Sequence, residues 1–308
     1  MKRSWRKLGL IYCPSEGAAH PKLASHAANP VAHNVTGDVF RVFYNGRDRS
    51  QRSSIGAVDF DLLTRRIVQD HDAPLFTHGP TGSFYANGIS LGNICRVGGE
   101  TVLLFMGWRP ADDGPLWCGE IGRLVVKPDL TLRLDHSQPL LTVDEVDPVS
   151  LSYPWGLELP GRGIQLWYGA THSWDAGNGE MLHVIHASFS PDGQSWVRLG
   201  QVLGHQIGIA QAFSRPSILA NKDGSLEMWV SYRGGPGDNY SIGYATSDDG
   251  LVWDWRPDEA GISTSAIGWD SEMISYPFVF DHRGERWMLY NGNGYGRSGF
   301  GLAVLEPN

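Results

Sequence analysis

The chain has 308 residues, with 25 Lys and Arg against 33 Asp and Glu; the net charge of −8 indicates neither a basic nucleic-acid-binding surface nor an acidic disordered tail. Hydrophobic residues make up 41%, including 12 Trp, 11 Tyr and 11 Phe, enough for a large core, while 39 Gly and 18 Pro interrupt the chain too often for long helices. An all-β protein follows, and the length allows one domain over 1–308.

The N-terminal stretch MKRSWRKLGLIYCPS begins basic, but its apolar part is too short and interrupted for a signal peptide, and no run of 18 apolar residues occurs. No membrane association is expected. Residues 5–13 read as a strand. Then a three-strand pattern recurs: NPVAHNV, RVFYNGR and SSIGAVDFD; SLGNICRV, LLFMGWR and GEIGRLVV; YPWGLEL, LWYGATH and MLHVIHASF; RPSILAN, MWVSYRGG and YSIGYATS; YPFVFDH, MLYNGNG and GFGLAVL. Tyr44, Met106, Tyr168, Tyr232 and Tyr290 are equivalent, at steps of 62, 62, 64 and 58 residues, a length that holds about four strands per repeat. Pro30, Pro154, Pro216 and Pro277 open the first strand of their repeats, and Gly92 takes that place in the second. Asp-Gly turns in SPDGQSW and SDDGLVW announce a fourth strand, with Trp196 and Trp253 placed to wedge against a neighbouring unit. The pattern predicts a five-bladed β-propeller of four-stranded antiparallel blades. The last repeat lacks an outer strand, and the N-terminal strand supplies it and closes the ring.

Cys13, Cys95 and Cys118 are an odd number without CxxC spacing, which supports neither a disulfide framework nor a zinc knuckle and fits a reducing, cytoplasmic setting.

In such a ring, function collects on the loops before each first strand (residues 20–29, 77–91, 142–153, 204–215 and 262–276) and after each second strand (45–53, 107–118, 170–180, 233–240 and 291–298). Arg47, Arg109, Arg233 and Arg297 fall in the second set, and Arg215 directly precedes Pro216. Together they suit an anionic ligand; singly, each could instead brace a loop against Asp48, Asp113, Asp175 or Asp238. Tyr85, Trp108, Tyr153, Trp155, Trp174, Tyr240, Tyr276 and Tyr295 also crowd the mouth, either to stack on rings or to pack between blades. Asn29, Asn87, Tyr153 and Tyr276 are placed to orient hydroxyls, and Asp48, His172, Tyr232, Asn291 and Asn293 complete the candidate binding set.

An acidic pair, Asp270 and Glu272, lies in the loop GWDSEMISYP. Glu272, flanked by Trp269, Met273 and Ile274, is the candidate acid/base, expected to be partly desolvated, with Asp270 tuning it; the pair could instead cap a turn. Asp147, Asp175 and Asp48 are alternatives, and His26 is a possible second proton carrier. In HVIH, His183 and His186 face opposite sides of a strand and cannot chelate together. No histidine spacing supports a metal site, and GNGYGRSG lacks the strand-to-helix context of a phosphate loop, so neither metal nor cofactor is expected.

The repeat, the prolines of the first strands and this choice of face resemble the five-bladed glycosidase propellers of glycoside hydrolase families 43 and 32 and their relatives, over the whole chain. FYNGRDRSQRSSIGAVDFD and GWDSEMISYPFVF…WMLYNGNGYGRSGFGLAV are similar to a bacterial glycosidase-like group tied to surface-glycan or natural-product biosynthesis. The resemblance implies carboxylates just before the first-strand prolines, yet Asn29, Ser90 with Leu91, and Ser152 with Tyr153 stand there. Hydrolysis by the usual pair of carboxyls lacks its base, since an amide takes up no proton at neutral pH. The expectation is therefore a carbohydrate-active enzyme that cleaves or transfers an anionic sugar derivative, such as a phosphate- or nucleotide-linked glycoside or a uronic acid. The alternatives are a non-catalytic glycan- or partner-binding propeller, and a fold repurposed for rearrangement, cyclisation or elimination.

Overall fold

A computed structural model describes residues 3–14, 20–111, 116–159 and 161–307; Asp113 lies outside the described residues. Its regular secondary structure is nearly all strand. After β1 (Trp5–Tyr12) come β2 (Ser25–Thr36), β3 (Val39–Arg47), β4 (Ser53–Asp61) and β5 (Arg66–Asp70), an antiparallel sheet in that order. A second such sheet contains β6 (Gly88–Val97), β7 (Glu100–Pro110), β8 (Trp117–Val126) and β9 (Leu132–Leu134). Next are β10 (Ser150–Leu159), β11 (Gly163–Ser173), β12 (Leu182–Ser190) and β13 (Val197–Gln201), then β14 (Ala212–Ala220), β15 (Leu226–Arg233), β16 (Ser241–Ser247) and β17 (Asp254–Trp255). A single parallel bridge, His183 to Ala212, joins these two sets into one eight-stranded sheet. The last sheet has β18 (Ser275–His282), β19 (Glu285–Asn291) and β20 (Phe300–Leu305), and β1 pairs antiparallel along β20.

The first strands β2, β6, β10, β14 and β18 touch one another in cyclic order, β18 returning to β2. Alternating apolar positions of successive strands bury a core that runs from Val31 and Phe43 through Phe105, Trp155 and Trp167 to Phe278 and Leu302. Trp253 wedges as the Asp-Gly turn predicts: its ring meets Trp167 at 6.2 Å, and the indoles of both donate to the carbonyl of Gly250. Gly250 has φ +78°, and a side chain there would run into Trp167, so only glycine serves this corner. Among the described residues no helix is long and apolar enough to cross a membrane.

Candidate functional site

Each first strand carries a register shift near its proline or, in β6, Gly92: between Ala28 and Val31, Leu91 and Ile94, Ser152 and Trp155, Ser214 and Ser217, and Ser275 and Phe278. In four of them the residue before the proline is left-handed: Asn29 at φ 52°, Tyr153 at 40°, Arg215 at 53° and Tyr276 at 55°. For side chains with a Cβ this costs about 1–3 kcal/mol each. A bulge bends a strand and re-aims the side chain on it. The proline fixes the next φ and needs no ladder donor, so the kink recurs where the repeat places it.

The kinks open a cavity of about 250 Å³. Asn29, Asn45, Ser53 and Ser90 form its amide and hydroxyl wall, Trp108, Trp117, Tyr153, Tyr276 and Tyr295 its aromatic wall, and Arg47 with Gln51 its edge. Asn29 Nδ2 donates to Asn45 Oδ1 at 3.2 Å. Asn45 is itself fixed, because Oδ1 accepts from Leu91 N and Nδ2 donates to Ile89 O. From the other side Asn291 Oδ1 accepts from Asn29 N at 2.8 Å. The Tyr153 and Tyr276 rings meet at 5.4 Å, and burial pushes the Tyr276 phenol well above its ordinary value, so it stays protonated. Arg233 donates to Tyr295 Oη at 3.0 Å, which leaves that hydroxyl's own proton free to donate. No Asp or Glu lines the cavity among the described residues.

Six of the sequence candidates, Asn29, Arg47, Trp108, Tyr153, Tyr276 and Tyr295, line this cavity. The others are placed elsewhere. Glu272 is exposed, not desolvated; its carboxylate has no described partner, and its backbone N donates to Asn293 Oδ1. Asp270 is buried outside the cavity, accepting from Lys7 Nζ at 2.7 Å and Tyr290 Oη at 3.0 Å; burial raises its carboxyl, and these bonds bring it below the usual range. The two carboxyls thus stand in separate structural settings, one solvated and one buried. His26 is buried beside Ser25 and is lowered to about 4, by burial first and then by the charges of Arg47 and Arg297, so it is neutral at pH 7.

The expected ring of guanidiniums reduces to Arg47 in the cavity, whose nearest described partner is Gln51 Oε1 at 3.4 Å. Arg215 is fully buried below the mouth and donates to the carbonyls of Pro30, Leu91, Gly92, Tyr276 and Pro277. Burial lowers it to about 9, so it remains charged but faces no ligand. Arg233 is paired with Glu180 at 2.9 Å. Arg297 is exposed outside the lining. Asp48 accepts from Ser50 N, Arg52 N and Arg52 Nε and fixes its own turn. Tyr85 packs on Phe84 and Phe105, Trp155 on Phe278, and Tyr232 on Phe213 and Trp255, all as core. Asn87 ties Ser53 to Trp108 through its backbone, Asn291 holds the Asn29 kink, and Asn293 braces the Glu272 turn. His172 bonds His186 at the mouth. Sequence reasoning missed Asn45, Gln51, Ser53, Ser90 and Trp117. Asn45 carried a readable signal: a polar residue at the mouth end of a second strand, one residue before a glycine.

Among the described residues no group of three or more His, Cys, Asp or Glu could hold a metal ion. No protein-family model matches the chain. Two uncharacterised proteins of Mycobacterium tuberculosis are similar to it: one, from strain CDC 1551 / Oshkosh, is 41% identical over 305 residues, and the other, from strain ATCC 25618 / H37Rv, is 40% identical over 304; each alignment covers 98% of this chain and 99% of the relative. Among solved structures, a glycoside hydrolase superposes with a TM-score of 0.76 at 14% identity, over 100% of this chain and 93% of its own. A glycosyl hydrolase from Bacteroides ovatus gives 0.73 at 11%, over 99% and 94%. A structure from the GH130 family of mannoside phosphorylases, described as containing glycoside hydrolases that target β-1,2 mannosidic linkages in Candida mannan, gives 0.70 at 12%, over 99% and 94%. At such identities the likeness is one of fold: that of glycoside hydrolase-like propeller enzymes.

Proposed function

Because the chain belongs to the family of these two mycobacterial proteins and has a glycosidase-like propeller fold, we propose that it is a carbohydrate-active enzyme acting on a sugar held in the axial cavity, the ligand carrying one anionic group at Arg47. Counting β10–β13 and β14–β17 as separate blades, the domain is a single five-bladed propeller over 1–308. The observation that carries the reading is the lining itself: amides and hydroxyls for sugar hydroxyls, aromatic faces for a pyranose, and a guanidinium with no carboxylate partner among the described residues.

No carboxylate stands in the described lining, and that favours one chemistry. A simple glycoside needs an acid to protonate its leaving alkoxide and a base or nucleophile across the bond. A phosphate- or nucleotide-linked sugar needs no such acid, because phosphate leaves as a stable anion, and Arg47 is placed to bind that charge as it develops. The reading is therefore cleavage or transfer of an activated sugar. Titration calorimetry with sugar 1-phosphates and nucleotide sugars tests it. Arg47→Gln should weaken the phosphorylated ligand about tenfold or more and leave the matching neutral sugar nearly unchanged. Equal losses for both would remove the anion from the reading. The same absence of acidic lining favours one second reading, glycan binding without chemistry, which tight binding without turnover would establish.

A further inference from the structure

The described lining of the cavity holds no group suited to take up a proton at neutral pH, but a chain of such groups stands beside it at the mouth. Asp147, in the loop ahead of β10, is fully buried. Its Oδ1 accepts from His186 Nδ1 at 2.7 Å, and its Oδ2 accepts from Tyr168 Oη at 2.9 Å and from Arg198. Burial raises this carboxyl, but the bonds from His186 and Tyr168 and the charge of Arg198 outweigh it and hold it below the usual range, so it is ionised. An ionised carboxylate only accepts, so His186 carries a proton on Nδ1, and in the relay its Nε2 is the acceptor. His172 Nε2 lies 2.9 Å from that atom, and in this arrangement it is the donor. The remaining nitrogen of His172, Nδ1, then holds a lone pair on an exposed ring, with no described partner. Burial and the neighbouring His186 and His205 lower His172, against an opposing pull from Asp147, so the ring is neutral at pH 7. His183 also lies close enough to feel His172 and His186.

His172 is tied to the cavity rim through Trp174. His172 lies at the mouth end of β11, and Trp174, two residues on, meets Trp117, a wall of the cavity, edge-on at 4.8 Å. We propose that Asp147, His186 and His172 form a proton relay whose outer atom, His172 Nδ1, takes the proton of an acceptor alcohol entering at the rim beside Trp174. The assignment rests on the reading of the cavity as the site of an activated sugar. The acceptor oxygen bonds to the anomeric carbon, the bond from that carbon to the phosphate oxygen breaks with its electron pair leaving on phosphate, and the acceptor's proton passes to His172 Nδ1. Asp147 balances the resulting imidazolium through His186.

Selective 15N-histidine NMR of the full chain, assigned with His172→Gln, reads the relay without substrate. Above its titration His172 should carry its proton on Nε2, and the preference should be lost in His186→Phe; a proton on Nδ1 in the wild type overturns the relay. Transfer is read with UDP-glucose, GDP-mannose and glucose 1-phosphate as donors and methyl mannoside as acceptor. His172→Gln should slow it about 100-fold or more, remove the acid limb of the pH profile and leave the donor KM within about twofold. Donor binding with an unchanged rate in the variant overturns this role alone. No binding of any donor overturns the cavity reading, and the role with it.

Discussion

At the scale of the residue, the neighbours of a side chain decide its chemistry more than its type does. Glu272 and Asp270 are two positions apart, yet one is solvated and the other is buried against Lys7 and Tyr290. The sequence suggested that Trp269, Met273 and Ile274 would desolvate Glu272, but Met273 and Ile274 turn inward and leave it outside. Glu272→Gln is therefore expected to change stability by no more than about 0.5 kcal/mol and to leave ligand binding and turnover at wild-type levels; urea melts and calorimetry check this. A lost activity would return Glu272 to the site. Asp147 and His172 show the converse: both were candidates in the sequence, and the residue that links them, His186, lies on a different strand from either.

At the scale of the element, β12 separates two hydrogen-bonding systems as alternation along a strand requires. His186 faces Asp147, and His183, three residues earlier, is fixed between Ser152 Oγ at 2.7 Å and Thr171 Oγ1 at 2.6 Å. Gly169 makes room for that bridge, since a Cβ there would strike both His183 and Ser152. Burial first, then the charges of His186 and Arg233, lowers His183 to about 3, against an ordinary value of 6.5. A depressed folded pKa means that the unfolded chain takes up the proton first. The stabilisation is whole above about pH 6.5 and is lost as pH falls toward 3, by up to about 1.4 kcal/mol per pH unit for this one group. His26, lowered to about 4, adds in the same direction. Denaturant midpoints should fall between pH 7 and 4.5, and His183→Gln should flatten that slope; an unchanged slope would show that the bridge does not carry it. Some strand boundaries were legible, because alternation and turn residues act locally: SSIGAVDFD is β4 residue for residue, and the strand expected at 5–13 is β1, one residue shorter. The first strands were not: β2, β6, β10, β14 and β18 begin two to five residues before the prolines and Gly92 read as opening them, because the chain pairs on both sides of the bulge.

At the scale of the whole molecule, the ring is tied at its axis by one buried guanidinium. Arg215 leaves β14 and donates to carbonyls of β2, β6 and β18, strands that stand 61 to 185 residues away along the chain. Arg215→Met would fill the space but leave those acceptors unpaired in a dry interior. A loss of about 3 kcal/mol or more is expected, together with weaker ligand binding, because Asn29 and Tyr276 sit on the same kinks. A variant as stable as the wild type, measured by urea unfolding, would show that water replaces the guanidinium. The sequence alone determined the repeat, three strands of each unit, the recurrence of four prolines and Gly92 at one place in it and the closing role of the first strand, since period, turn chemistry and apolar alternation are properties of short stretches. Only the tertiary structure decided that Arg215 faces carbonyls rather than ligand, that Asn45 and Ser90 join Asn29 in one wall, and that His186 connects Asp147 to His172. Those meetings depend on how far each sheet is rotated about the axis and which way each bulge turns a side chain, and both are fixed by packing between segments that no local pattern links.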